Sequence, residues 1–322
     1  MKIVDVKELF NRTGIPINGK RTIEIKLNEH TYLPEGELEK GWLPQVLKGL
    51  KKLSNQDNSH IKDICIVGIG PGIEAIAVSK LFSPHRLICT DIHPEVPAIA
   101  RENIIKNCDN MDNQNLVCTE CNLLCYLIEN NIKVDMLYEN LPNIPMDAPS
   151  NEIIKVNSST ASFYSSDMLN GIPDFIESSM LGLHYQFLIQ AKKCLKPGGI
   201  VICSIGGRIP YNKIKKMFLE MNFKPEILHC DMILQLAAAE VLQGYITAQK
   251  KYKNKFLFYE YEEGKKMLSK AMETSKTIED ALEDESLKNS TIGFDAANAY
   301  FKLFSGNTEI GHTGLIIKGN MI

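Results

Sequence analysis

No apolar run in the sequence approaches the roughly 20 residues that a membrane-spanning helix requires, and no short apolar core follows Met1, so a cytoplasmic chain without a membrane partner is expected. Charge of one sign is also lacking. Against 36 basic residues stand 39 acidic ones, interspersed, and the formal net charge of −3 gives no electrostatic footprint for nucleic acid. Tryptophan occurs once, at Trp42, and there are no internal repeats or low-complexity linkers. Cysteine is not scarce, but nine is an odd number, and the cysteines are scattered through helix-like and strand-like segments. That argues against a disulfide framework and for reduced thiols. With 44% hydrophobic residues, 322 residues can bury one large core, or a core with a smaller cap. A small-molecule substrate fits this balance best, and nothing in it bears on oligomeric state.

The first 60 residues read as an N-terminal cap on the substrate side: a short helix near Val4 to Phe10, an alternating stretch Thr22 to Leu27, and an amphipathic helix from Trp42 to Leu53. From Ile61 the pattern changes to short apolar runs separated by helical periodicity, the signature of βαβ units and a parallel sheet. Strands are predicted at Ile64–Gly68, Leu87–Asp91, Asn115–Thr119, Val134–Glu139 and Ile200–Ile205. Helices fit Glu74–Leu81, Val96–Asn107 and Phe175–Leu195, the last stopped by Pro197-Gly198-Gly199. A helix Lys213–Met221 follows, then a strand Pro225–Cys230 and a hairpin partner Lys255–Tyr261, which makes seven strands. The expected fold is a Rossmann-like α/β domain over residues 61–261, with a helical C-terminal extension over 262–322 whose last strand, Thr313–Lys318, returns toward the core.

The sharpest local signal is Gly68-Ile69-Gly70-Pro71-Gly72, directly after an apolar strand and at the start of a helix. Glycines there let the backbone turn sharply and approach a ligand, while the helix start offers unpaired N–H groups. A dinucleotide site usually wants G-x-G-x-x-G. The G-x-G-x-G spacing is the S-adenosylmethionine pattern, with no pyrophosphate to cradle. Nineteen residues after Gly72, Asp91 ends the second strand, where a carboxylate can accept both ribose hydroxyl hydrogens. Ile92 is positioned to pack on adenine, and Pro94 suits the start of the next helix. Asn122, beside Leu123 after the third strand, is expected to reach the adenine amino group. The fourth strand delivers Asn140-Leu141-Pro142-Asn143, in which the uncharged amide of Asn140 can orient an amine or amide near the sulfonium, and Pro142 stiffens the loop.

At these residues the chain resembles class I S-adenosylmethionine-dependent methyltransferases, with Gly68 to Gly72 as motif I and Asp91 as the acid of the second strand. Ile66 stands where that motif usually carries an acid. Asn140-Leu141-Pro142-Asn143 resembles the N-P-P-Y loop of release-factor glutamine methyltransferases, without its second proline and tyrosine. A broader resemblance is to the methyltransferase region of plant-type methionine S-methyltransferases. It is carried by Asp91-Ile92-His93-Pro94, Leu181-Gly182-Leu183, Ile205-Gly206-Gly207-Arg208, Ile233-Leu234-Gln235, Lys255-Phe256-Leu257-Phe258, Ala299-Tyr300 and Gly311-His312. No counterpart of the large aminotransferase-like domain of those proteins is expected within these 322 residues. The resemblance implies S-adenosylmethionine as cofactor, held by Gly68, Gly70, Gly72, Asp91, Ile92, Asn122, Leu123 and Asn140, and leaves the acceptor open.

Cys118, Cys121 and Cys125 lie across a strand end and a helix start without a fourth ligand of zinc-site spacing, so no metal is expected. Trp42 and Phe163 read as packing residues. Tyr164, in the insert after the fourth strand, is a candidate to face the sulfonium with its ring, a contact of about 0.5–2 kcal/mol. The expectation is thus a methyltransferase acting on an amino acid or similar small metabolite. Asn140 and Tyr164 serve catalysis, and Pro142, Ser204 and Arg208 contact the substrate. Three alternatives stay open: a cyclase forming azetidine-2-carboxylate and methylthioadenosine, a protein glutamine methyltransferase, and a non-catalytic binding module.

Overall fold

The computed structural model describes residues 2–31, 33, 38–56, 59–147, 152–153, 162–169, 171–284, 287, 293–306 and 308–322. Strand β1 (Lys2–Asp5) pairs antiparallel with β2 (Glu24–Leu27), and a helix spans Lys7–Thr13 between them. The helix expected at Val4 to Phe10 therefore starts later. Pairing with β2 takes up the backbone of residues 2–5, and Asp5 Oδ1 accepts from both Lys7 N and Ile23 N at 2.9 Å. The next helix, Trp42–Ser54, buries Leu43, Val46, Leu47, Leu50 and Leu53, the i, i+3, i+4, i+7 stripe that its sequence shows. It sits so close to the main sheet that a Cβ on Gly49 would overlap the Ile316 side chain.

That sheet begins with β3 (Asp63–Val67), β4 (Arg86–Asp91), β5 (Leu116–Glu120) and β6 (Val134–Glu139). Two short strands, β7 (Ile144–Met146) and β8 (Phe163–Ser165), pair with each other outside it. The sheet continues with β9 (Leu195–Gly206) and β10 (Phe223–Leu234). After these come β11 (Phe258–Glu260), β12 (Gly293–Phe294) and β13 (Ile310–Met321). Its order is β5-β4-β3-β6-β9, all parallel, then β13 antiparallel to β9, with β10 antiparallel on the far side of β13. Side chains alternate between two cores. Ile64, Ile66, Met136, Tyr138, Ile200 and Ile202 face one, whereas Cys65, Val67, Leu137, Val201 and Cys203 face the other. Helices Ile73–Phe82 and Val96–Asn107 close the first face, and Gly182–Cys194 and Tyr211–Glu220 close the second.

Three expectations are corrected. The hairpin partner of β10 is β13, not Lys255–Tyr261. Of that stretch only Phe258–Glu260 is strand, and it pairs with β12 and with the first residues of β13. Residues 262–322, expected as a helical extension, do contain helices Tyr261–Thr274 and Ala296–Gly306 but end in this strand, which is inserted between β9 and β10. The apolar run Leu315 to Ile317 is no stronger a strand signal than Phe256 to Phe258, so propensity alone does not choose; two full ladders along β13 do. The single helix expected over Phe175–Leu195 is likewise two, Asp174–Glu177 and Gly182–Cys194, parted where Met180 adopts φ +58°. Among the described residues no helix is long and apolar enough to cross a membrane.

Candidate functional site

Open parallel sheets bind ligands at the carboxyl ends of their strands. Here those ends surround a cavity of about 470 Å³. The turn after β3 contributes Gly68, Ile69, Gly70 and Pro71, and Asp91, Ile92 and His93 come from the end of β4. Cys121 and Leu123 follow β5, and Asn140, Leu141, Pro142 and Asn143 follow β6. Ser204 and Arg208 come from β9 and the turn after it, Gln235 from the residue after β10, and His312 from β13. Tyr164 on β8 and Trp42 and Gln45 on the N-terminal helix complete the wall.

The glycine turn is built as its spacing requires. Gly70 sits at φ +51°, and a Cβ there would meet nothing within 4 Å, so this stretch of backbone lies bare toward the cavity. Gly72 has another task. At φ +90° its added Cβ would lie 3.2 Å from the Ala100 carbonyl, so it lets two helices approach and does not line the cavity. Asp91 is buried, and its carboxylate accepts from Gly70 N and His93 N, each at 3.1 Å, which ties the turn to the end of β4. Burial pushes its carboxyl up in pKa, and these N–H donors oppose the shift.

Asn122 is not brought to the cavity. It is exposed, while its neighbours Cys121 and Leu123 turn inward, Leu123 at φ +53° with its carbonyl accepting from Thr90 Oγ1. Tyr164 is buried at 4% exposure, and its hydroxyl has no hydrogen-bond partner among the described residues. Trp42, expected only to pack, also lines the cavity.

Two polar features, and the partners of a third residue, Arg208, were not read from the sequence. Glu74, in the first turn after the glycines, is buried in the cavity wall beside the Asn140 amide; burial raises its pKa to about 7, and the Asn140 hydrogen bond opposes the rise. A first-turn glutamate reads as a helix-dipole partner, and only the facing loop turns it into a site residue. Behind the loop, Glu139 is fully buried. Its Oε2 accepts from Leu141 N at 3.0 Å, and its Oε1 lies 2.8 Å from His184 Nδ1. His184 Nε2 lies 2.8 Å from Asn143 Nδ2, a pattern that assigns the Nδ1–H tautomer. Finally, Arg208 Nη2 donates to Gln235 Oε1 and His312 Nε2, both at 2.6 Å.

The strand order and the glycine turn are those of the Rossmann-like class I methyltransferase fold, with the last strand, β13, antiparallel between β9 and β10. Over 213 residues, 62% of the chain, it is 24% identical to methionine S-methyltransferases of Hordeum vulgare and Zea mays. The match covers 20% and 19% of those proteins, so the chain spans about a fifth of the length of the curated relatives it matches. No family model matches. Among solved structures, a putative RNA methyltransferase from Pyrococcus horikoshii aligns over 98% of both chains at 11% identity and a TM-score of 0.44. The ribosomal protein L11 methylase of Lactobacillus delbrueckii subsp. bulgaricus aligns over 60% of this chain and 74% of its own, at 18% identity and a TM-score of 0.38.

Proposed function

We propose that the chain is an S-adenosylmethionine-dependent methyltransferase of cytoplasmic small-molecule metabolism, acting on an amino acid or a similar thioether or amine. The observation that carries this reading is the meeting of Gly68, Gly70, Asp91 and Asn140 on three adjacent strand ends around one cavity. The residues fit the cofactor: Gly70 leaves its backbone bare toward the cavity, and Asp91 keeps acceptor capacity beyond its two N–H bonds. S-adenosylmethionine supplies a methyl group activated by a sulfonium. Asp91 would take the ribose, and Ile92 and Leu123 would flank the adenine. With no acid at Ile66, the usual motif position, Glu74 in the cavity wall would take the ammonium.

The protein's part in the reaction is then mainly placement. Asn140, fixed between Glu74 and a loop anchored to Glu139, orients the acceptor in line with the methyl carbon. Closing the bimolecular encounter in this way can supply several kcal/mol without a strong base. Tyr164 would turn its ring toward the sulfonium. A second reading, cyclisation to azetidine-2-carboxylate and methylthioadenosine, is favoured by Glu74 alone, whose pKa of about 7 suits an acceptor of a proton from the attacking amine. Mass spectrometry of the turnover products separates the two. S-adenosylhomocysteine formed only with an added acceptor supports methyl transfer, whereas methylthioadenosine formed from the cofactor alone overturns it.

A further inference from the structure

We propose that Arg208, held by His312 and Gln235, binds the carboxylate of the methyl acceptor. The proposal deepens the reading above and rests on it. A guanidinium stays charged at every physiological pH, and removing it from water is costly unless an anion faces it. Arg208 is 7% exposed, yet its hydrogen-bond partners are neutral. It makes no ion pair with a carboxylate among the described residues, and Nε has no hydrogen-bond partner.

The surroundings are built to hold this cation in place. His312 Nδ1–H donates to the Thr313 carbonyl at 2.8 Å, which leaves Nε2 to accept from Arg208. Gln235 turns its oxygen to the same Nη2, with its nitrogen donating to the Leu236 carbonyl at 2.9 Å. The rings of Tyr245 and Phe258 lie 5.0 and 5.8 Å from the guanidinium carbon. Aromatic faces and neutral acceptors, the Tyr245 hydroxyl among them, thus fix the group while its Nε–H stays uncommitted. Such a fork matches a carboxylate. Arg208 is also the one Lys or Arg lining the cavity among the described residues, which suits a single negative charge better than a phosphate.

Position along the sheet assigns the carboxylate to the acceptor and not to the cofactor. The ribose acceptor Asp91 ends β4, the glycine turn follows β3, Asn140 follows β6 and Arg208 follows β9. Each step is about 4.8 Å, so Arg208 lies roughly three steps beyond Asp91, past the Asn140 loop. The cofactor's amino-acid end has Glu74 on the near side of that loop.

The test is calorimetry on the whole chain, with S-adenosylhomocysteine and 5′-methylthioadenosine first, then the twenty protein L-amino acids titrated into protein loaded with S-adenosylhomocysteine. Two variants are compared. Arg208→Gln removes the charge. Gln235→Glu leaves the charge in place but gives it a carboxylate from within. At least one amino acid is expected to bind the loaded wild type, its decarboxylated amine at least about tenfold more weakly. Both variants should lose that amino acid by at least about tenfold, with S-adenosylhomocysteine affinity unchanged, which also shows that they fold. If Arg208→Gln instead weakens S-adenosylhomocysteine and spares 5′-methylthioadenosine, the carboxylate is the cofactor's own and the proposal is overturned. Retention of amino-acid binding in both variants, or no amino-acid binding by the loaded wild type, overturns it as well. A wild type that binds no S-adenosylhomocysteine defeats the methyltransferase reading itself, a separate outcome.

Discussion

His184 Nδ1 lies 2.8 Å from Glu139 Oε1, with both side chains buried at the end of β6. The pair anchors the site loop at two points, since Glu139 also receives Leu141 N and His184 also receives the Asn143 amide. Replacing His184 by Ala leaves a buried carboxylate without its partner. A loss of about 3–5 kcal/mol in unfolding free energy is expected by denaturant titration. Asn143→Ala removes only the outer link and should cost about 1 kcal/mol of stability, with a fall in turnover that exceeds any change in cofactor affinity. Equal stability of His184→Ala and wild type would show that the pair anchors nothing.

Asp91→Ala should weaken S-adenosylhomocysteine by about 1.5–3 kcal/mol, the range for hydrogen bonds to a charged group. Because Asp91 also holds the N–H groups of Gly70 and His93, the same variant should lose some thermal stability, and Asp91→Asn less. Unchanged affinity in calorimetry would move the ribose site elsewhere.

Asn140→Ala should show the opposite balance, with turnover falling by tenfold or more and S-adenosylhomocysteine affinity changing little. A tenfold rate loss needs only about 1.4 kcal/mol, which one ordinary contact can supply. Full turnover on the identified acceptor would reduce Asn140 to a turn residue.

Glu74 gives a pH signature. Its folded pKa of about 7 lies above the ordinary 4.5, so the folded chain binds more protons than the unfolded chain between these values. Stability from this group is therefore full below about pH 4.5 and lost as pH rises through 7. The loss is about 3 kcal/mol from the gap of the two values. Glu74→Gln should flatten that part of the stability profile. Affinity for a ligand with an ammonium group runs the other way: it should rise between pH 6 and 8 in the wild type and stay level in Glu74→Gln. Identical profiles for the two proteins would remove Glu74 from the ligand's surroundings.

The legible parts of the site are those whose chemistry is local. Gly68 to Gly72 and Asp91 are set by spacing within one βαβ unit, where a turn, a helix start and a strand end follow each other along the chain. Asn122 failed because one residue of difference after a strand end turns a side chain from cavity to solvent, and spacing does not resolve that step. Glu74, Glu139 and His184 gain their meaning from partners across space. Glu139 and His184 stand 45 positions apart, and neither a strand-end glutamate nor a helical histidine is unusual alone. The strand Thr313–Lys318 was legible, but its place between β9 and β10 was hidden for the same reason. Its partners β9 and β10 are read as strands on their own, but which later segment fills the gap between them depends on pairing over about 77 to 120 residues.

Titration of S-adenosylhomocysteine into the purified chain, with NAD in parallel, bears most directly on what this cavity is for. Saturable binding of S-adenosylhomocysteine at micromolar concentration, weakened by about ten- to a hundredfold in Asp91→Ala and absent for NAD, is the expected result. Binding of NAD with no heat from S-adenosylhomocysteine at millimolar concentration would contradict it.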